Sequence, residues 1–171
     1  MATTRAASAE DLPRLVELAE LGLGELRPLR GGAIWWRREA RPAPVEASLR
    51  AALEDPDQCV TVGLLAGYPA GYGVARVEAL RGGDLIAVVD DLFTEPPFRG
   101  VGVGEAVMDA LIAFARRRGC VGVDSLALPG DRETKNFFES FGLKARALLV
   151  HLSLEPEDGA PAGGPPRPTE P

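Results

Sequence analysis

Apolar positions change period along this chain, and the changes mark its elements. Thr3–Ala7 has room for a short strand. Ser8 and Asp11 stand at capping-box spacing, and Leu12, Leu15, Val16 and Ala19 follow at helical intervals, with Gly22 and Gly24 ending or loosening that helix. Residues 25–43 lose the pattern and read as an arginine- and glycine-rich loop carrying Trp35 and Trp36. Pro44 suits a first helical turn before the face Val45, Leu49, Ala52, Leu53, which Asp55-Pro56-Asp57 stops. Cys59–Leu65 and Gly71–Leu80 alternate as two strands joined near Gly67-Tyr68-Pro69. Leu85–Thr94 is apolar on both faces until Asp90 and Asp91, as expected of a central strand. A helix follows with the stripe Val103, Val107, Leu111, Phe114 and the stop Gly119. Val121–Leu128 reads as a strand. Asp131 then caps a short helix with Thr134, Phe137, Phe138 and Phe141 on one face, ended by Gly142, and Arg146–Leu154 reads as a last strand. The predicted order is β-α-α-β-β-β-α-β-α-β, a mixed α/β domain over residues 1–154. Residues 155–171 hold prolines, glycines and charge without a large apolar residue, and a disordered tail is expected there.

Composition narrows the chemistry. The 171 residues carry a net charge of −6, which speaks against a nucleic-acid partner and mildly favours a cationic acceptor. The uncharged stretch from Cys59 to Ala75 is broken by glycines and Pro69, so no membrane span is predicted, and no secretory signal is visible at the N-terminus. Cys59 and Cys120 are isolated and His151 is the only histidine, too few ligands for a His/Cys zinc site. No G-x-S-x-G accompanies that histidine, so a Ser-His-Asp triad is not indicated either. His151 reads as a surface residue, and a reducing, cytoplasmic setting is the expectation.

The informative feature is a strand, the turn Arg99-Gly100-Val101-Gly102-Val103-Gly104, and a helix. Free amides at a helix N-terminus favour an anion, and glycines let a ligand approach the backbone. A diphosphate fits, with Arg99 as a charged donor. The P-loop pattern fails because no Gly-Lys pair exists, and the dinucleotide fingerprint fails because Glu105 stands at its third glycine.

Leu92-Phe93-Thr94-Glu95-Pro96-Pro97-Phe98-Arg99-Gly100-Val101-Gly102-Val103-Gly104 instead resembles motif A of the GNAT superfamily of acyl-CoA-dependent N-acyltransferases, with Thr94 in place of the usual valine. Phe137-Phe138-Glu139-Ser140-Phe141-Gly142-Leu143 is similar to a second segment of that family, and Arg5, Asp11, Leu12 and Leu15 to its opening strand and helix. The resemblance covers residues 3–154. It implies a twisted mixed sheet of about six or seven strands with about four helices, its fourth and fifth strands splayed. It further implies acetyl-CoA as co-substrate, with no metal. The pantetheine arm would pair with the backbone of Leu92, Phe93 and Thr94, and the diphosphate would lie on Arg99, Gly100, Val101, Gly102, Val103 and Gly104.

The implied activity is direct acetyl transfer to a primary amine of a small molecule or peptide. A base or a water chain is then needed, since the amine must lose a proton before attack. Asp90 and Asp91 are the catalytic candidates, Asp90 preferred and Glu95 third. Neighbouring strand residues point to opposite faces, so at most one of the two aspartates faces the cleft directly. The family's usual acid is a tyrosine, and Phe138 holds its position, which leaves a water or Ser140 to protonate the thiolate. The family's asparagine position is taken by Asp131, a helix cap, while Asn136 is displaced by five residues. Asn136 and Phe138 complete the expected cofactor contacts. The loss of the tyrosine keeps a second expectation open, a non-catalytic acyl-CoA-binding or sensor module. Many members of the family dimerise, and a homodimer is open here as well.

Overall fold

The computed structural model describes residues 1–155. Its elements are β1 (Ala2–Ala6), α1 (Leu12–Leu26), α2 (Gly32–Arg38), α3 (Val45–Glu54), β2 (Gln58–Leu65), β3 (Tyr68–Ala79), β4 (Leu85–Thr94), α4 (Val103–Arg117), β5 (Gly122–Ser125) and α5 (Arg132–Ser140). Short 3-10 turns at Ala9–Asp11 and Pro96–Phe98 lead into α1 and towards α4. The strands form one sheet in chain order. β1 through β4 pair antiparallel, and β5 joins β4 in parallel after the α4 crossover.

Alternation along the strands builds a core on each face. Val62, Tyr72, Val74 and Phe93 meet Leu12, Leu15 and Leu18 of α1 and Leu49 of α3. On the opposite face Ala75 and Val89 meet Val107, Met108, Leu111 and Phe114 of α4 and Phe138 of α5. Burying each such side chain is worth about 1.5–3 kcal/mol, so the α4 stripe is a major stabilising element. α4 lies close on the sheet because Gly63 and Gly73 leave room for it. A Cβ on Gly73 would stand 2.6 Å from a Val107 methyl and 2.9 Å from a Leu111 methyl. Gly73→Val is therefore expected to push α4 outward and cost about 1–3 kcal/mol of stability, measured by denaturant unfolding.

β4 carries a bulge. Val74 pairs with Asp91 while Ala75 pairs with Val89, which leaves Asp90 as the extra residue on β4. β5 pairs with β4 only from Ile86 to Val89, opposite Gly122 to Ser125. The Ser125 hydroxyl donates to the Val89 carbonyl at 3.3 Å at the last of these pairs. Beyond it β4 runs on to Thr94 with no β5 partner, which is the expected splay.

Four expectations need correction. α1 runs through Gly22 and Gly24 to Leu26, and Gly22 serves packing, since a Cβ there would meet the Phe93 ring at 3.0 Å. The stretch 25–43 is not all loop, because α2 forms within it and carries Trp35 and Trp36. Among the described residues the sheet has five strands rather than six or seven, and there are five α-helices rather than about four. Residues 146–154 form no strand and are exposed. Their alternation gives strand propensity, but a strand also needs a ladder partner. Here charged contacts hold the ends of the segment instead, Arg146 on Asp124 of β5 and Glu155 on Arg37 of α2. Of the tail expected over 155–171, all but Glu155 lies outside the described residues.

Candidate active site

The glycine-rich turn enters α4 as the sequence predicts. Gly100 and Gly102 take φ of +72° and +93°, values that side chains rarely adopt, and Gly102 is the N-cap. The first bond inside the helix runs from the Ala106 amide to the Gly102 carbonyl at 3.0 Å, so the amides of Val103, Gly104 and Glu105 lack helical partners. Val101 is exposed and Val103 buried. Gly104 lies under the end of β4, where a Cβ would be 3.3 Å from the Thr94 hydroxyl and 3.4 Å from the Phe137 ring. The turn thus offers a bare, positively polarised backbone surface beside the splay.

Arg99 belongs to the same corner but is already engaged. Its Nε donates to the Thr94 carbonyl at 2.9 Å, a terminal nitrogen meets Glu25 at 2.6 Å, and the guanidinium lies 5.5 Å from the centroid of the Phe93 ring. Phe93 itself is buried against α1, whereas Leu92 packs towards α4.

The two aspartates have different environments. Asp91 is nearly enclosed and ion-paired with Arg41 from the loop before α3, while Arg41 also donates to the Ser48 hydroxyl at 2.8 Å. The buried Tyr72 side chain lies close to Asp91. Burial raises the Asp91 carboxyl above the usual aspartate range despite Arg41, and burial with the nearby Asp91 charge raises the Tyr72 phenol. Asp90, the bulge residue, is more open, with Arg76 at 3.1 Å and its side chain 28% exposed. Desolvation raises it as well, against the pull of Arg76. Both carboxyls therefore hold a proton more tightly folded than unfolded. Their favourable contribution is present below the free-aspartate value and is lost as pH rises through the folded one.

The remaining candidates have different surroundings. Glu95 pairs with Arg14 of α1 at 2.6 Å. Asn136 is exposed on α5. Phe138 is buried among Val89, Met108 and Leu111. The Ser140 hydroxyl is spent on the Phe137 carbonyl at 2.6 Å, and Asp131 caps α5 by accepting from the Thr134 amide at 3.1 Å. His151 is exposed. Arg41, Tyr72 and Ser48 escaped sequence reasoning, since a lone arginine in an aperiodic stretch carries no signal of its distant partner. A cleft of about 710 Å³ opens between the end of α1 and α2, lined by Gly24, Arg27, Pro28, Ala33, Trp36 and Arg37.

Among the described residues no helix is long and apolar enough to cross a membrane, and no three metal-ligating side chains cluster. Residues 29–143 match the acetyltransferase (GNAT) family. A serotonin N-acetyltransferase 2 of Oryza sativa subsp. japonica is 34% identical over 131 residues, 74% of this chain and 64% of that protein. A glucosamine 6-phosphate N-acetyltransferase of Trypanosoma brucei brucei is 30% identical over 74 residues, 43% of this chain and 48% of that protein. The chain thus spans about half to two thirds of the curated relatives it matches. Among solved structures, an aminoglycoside N-acetyltransferase AAC(6')-Iy in complex with CoA superposes with a TM-score of 0.69 at 16% identity, over 90% of this chain and 94% of that one.

Proposed function

This chain belongs to the acetyltransferase (GNAT) family, and from that premise we propose that it transfers the acetyl group of acetyl-CoA directly to a primary amine. The observation that carries the reading is the splay beside the glycine turn. β4 leaves its edge unpaired after Val89, and the free amides of α4 open at the same corner. The chemistry at hand suits a diphosphate on the turn and an extended amide-bearing arm along Leu92–Thr94. The thioester supplies the activated acyl group. Arg99 is the movable cation of the corner, released from Glu25 when a diphosphate competes for it.

Asp90 is the base in this reading. Its carboxylate accepts the ammonium proton, the amine nitrogen attacks the thioester carbonyl, and the C–S bond breaks. The nitrogen's second proton passes through water to the departing thiolate, because Phe138 has no hydroxyl and Ser140 is engaged. Asp91 serves as an anchor for Arg41, not as a base. The acceptor is a small molecule in this proposal, as serotonin and glucosamine 6-phosphate are for the two curated relatives.

Phe138 favours a second reading, an acyl-CoA-binding module without turnover, since a buried phenylalanine stands where the family's tyrosine acid is expected. Release of free CoA thiol from acetyl-CoA, followed with and without added primary amines, separates the two. Amine-dependent release is the expected result. Tight acetyl-CoA binding with no release under any amine would leave the module.

A further inference from the structure

The stretch that forms the cleft between α1 and α2 reverses the charge sign of the whole chain, and two of its arginines, Arg27 and Arg37, line the cleft. Residues 27–41 hold five arginines (Arg27, Arg30, Arg37, Arg38 and Arg41) and one acid, Glu39, whereas the protein carries a net −6. The Arg27 guanidinium lies over the Trp36 indole, 4.4 Å from its centroid. Arg27 and Arg30 have no carboxylate partner among the described residues. Between the arginines the lining is apolar, from Pro28, Ala33 and the Trp36 ring.

The surroundings put this cleft by the splay. Glu25, one turn before Pro28, holds Arg99 of the glycine turn. α2 leads into Arg41, the partner of Asp91 on β4. A Cβ on Gly31, the N-cap of α2, would touch Leu128 and Pro129, just past β5. Residues flanking the cleft thus contact the glycine turn, β4 and the segment just past β5.

A second observation names the ligand chemistry. The Glu155 carboxylate already sits on Arg37, both oxygens on one guanidinium nitrogen at 2.9 and 3.1 Å. The chain places its own carboxylate on the lining of the cleft. We infer that the acceptor amine carries a carboxylate, which Arg37 and Arg27 bind while its apolar part lies against Trp36, and that Glu155 occupies this position until the acceptor displaces it. This rests on the acetyl-transfer reading and reverses the expectation of a cationic acceptor, because charge beside the acceptor outweighs net charge at a distance of several Debye lengths. A carboxylate on guanidinium is a charge-assisted contact, strong enough to discriminate between acids and neutral analogues.

The test needs no turnover. N-acetyl-L-tryptophan and N-acetyltryptamine differ by one carboxylate, and each is titrated by calorimetry into full-length protein saturated with CoA. The acid is expected to bind about tenfold tighter than the neutral amide. Arg37→Gln should remove most of that advantage, while Glu155→Gln should increase affinity for the acid several-fold, leaving the neutral ligand unchanged in both. Opposite signs at the two ends of one ion pair are not produced by a merely structural contact. N-acetylglucosamine 6-phosphate against N-acetylglucosamine is the second arm, and a preference confined to the phosphate would overturn the carboxylate assignment. Equal binding of acid and neutral ligand, no binding of either, or an insensitive Arg37→Gln protein would also overturn it. Saturation with CoA is read in the same instrument, so absent CoA binding would be recognised as failure of the acetyl-transfer reading itself.

Discussion

Acetyl-CoA affinity is expected to fall about a hundredfold or more in Gly102→Val, with the sheet intact. Gly102 caps α4 at φ +93°. A β-branched residue is disfavoured there by about 1–2 kcal/mol or more, so the backbone rotates out of that region. The rotation swings the amides of Val103, Gly104 and Glu105 away from the corner. Each hydrogen bond from such an amide to a charged phosphate is worth about 1.5–3 kcal/mol, and losing two gives the stated factor. The remaining turns of α4 stay anchored by Val107, Leu111 and Phe114, so thermal unfolding should shift only by several degrees. Gly119→Val is the control. It takes φ +70° at the far end of the same helix and should cost folding stability without touching affinity. Calorimetric titration of both variants reads the difference, and unchanged affinity in Gly102→Val would remove the diphosphate from this turn.

Neighbouring aspartates should respond in opposite ways. Asp91→Ala leaves Arg41, whose side chain is 7% exposed, buried without its partner, a change that costs about 3–5 kcal/mol. Denaturant unfolding should show that loss directly. Asp90→Asn keeps the fold and is expected to lower kcat about a hundredfold or more, with acetyl-CoA affinity retained. The working form of Asp90 is the carboxylate, and burial raises its pKa above that of free aspartate. kcat/KM should therefore rise with pH through a limb displaced upward from the ordinary carboxylate value, and that limb should vanish in Asp90→Asn. If Asp90→Asn turned over normally, the amine would be deprotonated by another group.

Much of this was legible because it is local. The Leu85–Thr94 strand, the turn from Arg99 to Gly104 and the α4 stripe each rest on short-range periodicity or on glycines whose conformation the turn requires. Asp131 as the cap of α5 is of the same kind. The two aspartates were visible, but their division of labour was not. Strict alternation would separate their faces, whereas the bulge makes Asp90 an extra residue and leaves Asp91 opposite Val74. That bulge depends on register with β3, which no single-strand pattern contains. Arg41 with Asp91 and Glu25 with Arg99 are contacts across 50 and 74 residues, invisible to any window. The missing last strand is the converse case. Residues 146–154 alternate well, yet alternation cannot state whether the segment pairs with the open edge of β5.

Titration of the intact protein with acetyl-CoA, with dephospho-CoA and NAD run in parallel, tests the account most directly. One-to-one binding of acetyl-CoA in the micromolar range, with NAD far weaker, is the predicted result, because an arm along β4 and a diphosphate on the α4 amides must both be satisfied. Absent acetyl-CoA binding, or NAD binding as tightly, would contradict it and leave the glycine turn as a structural corner alone.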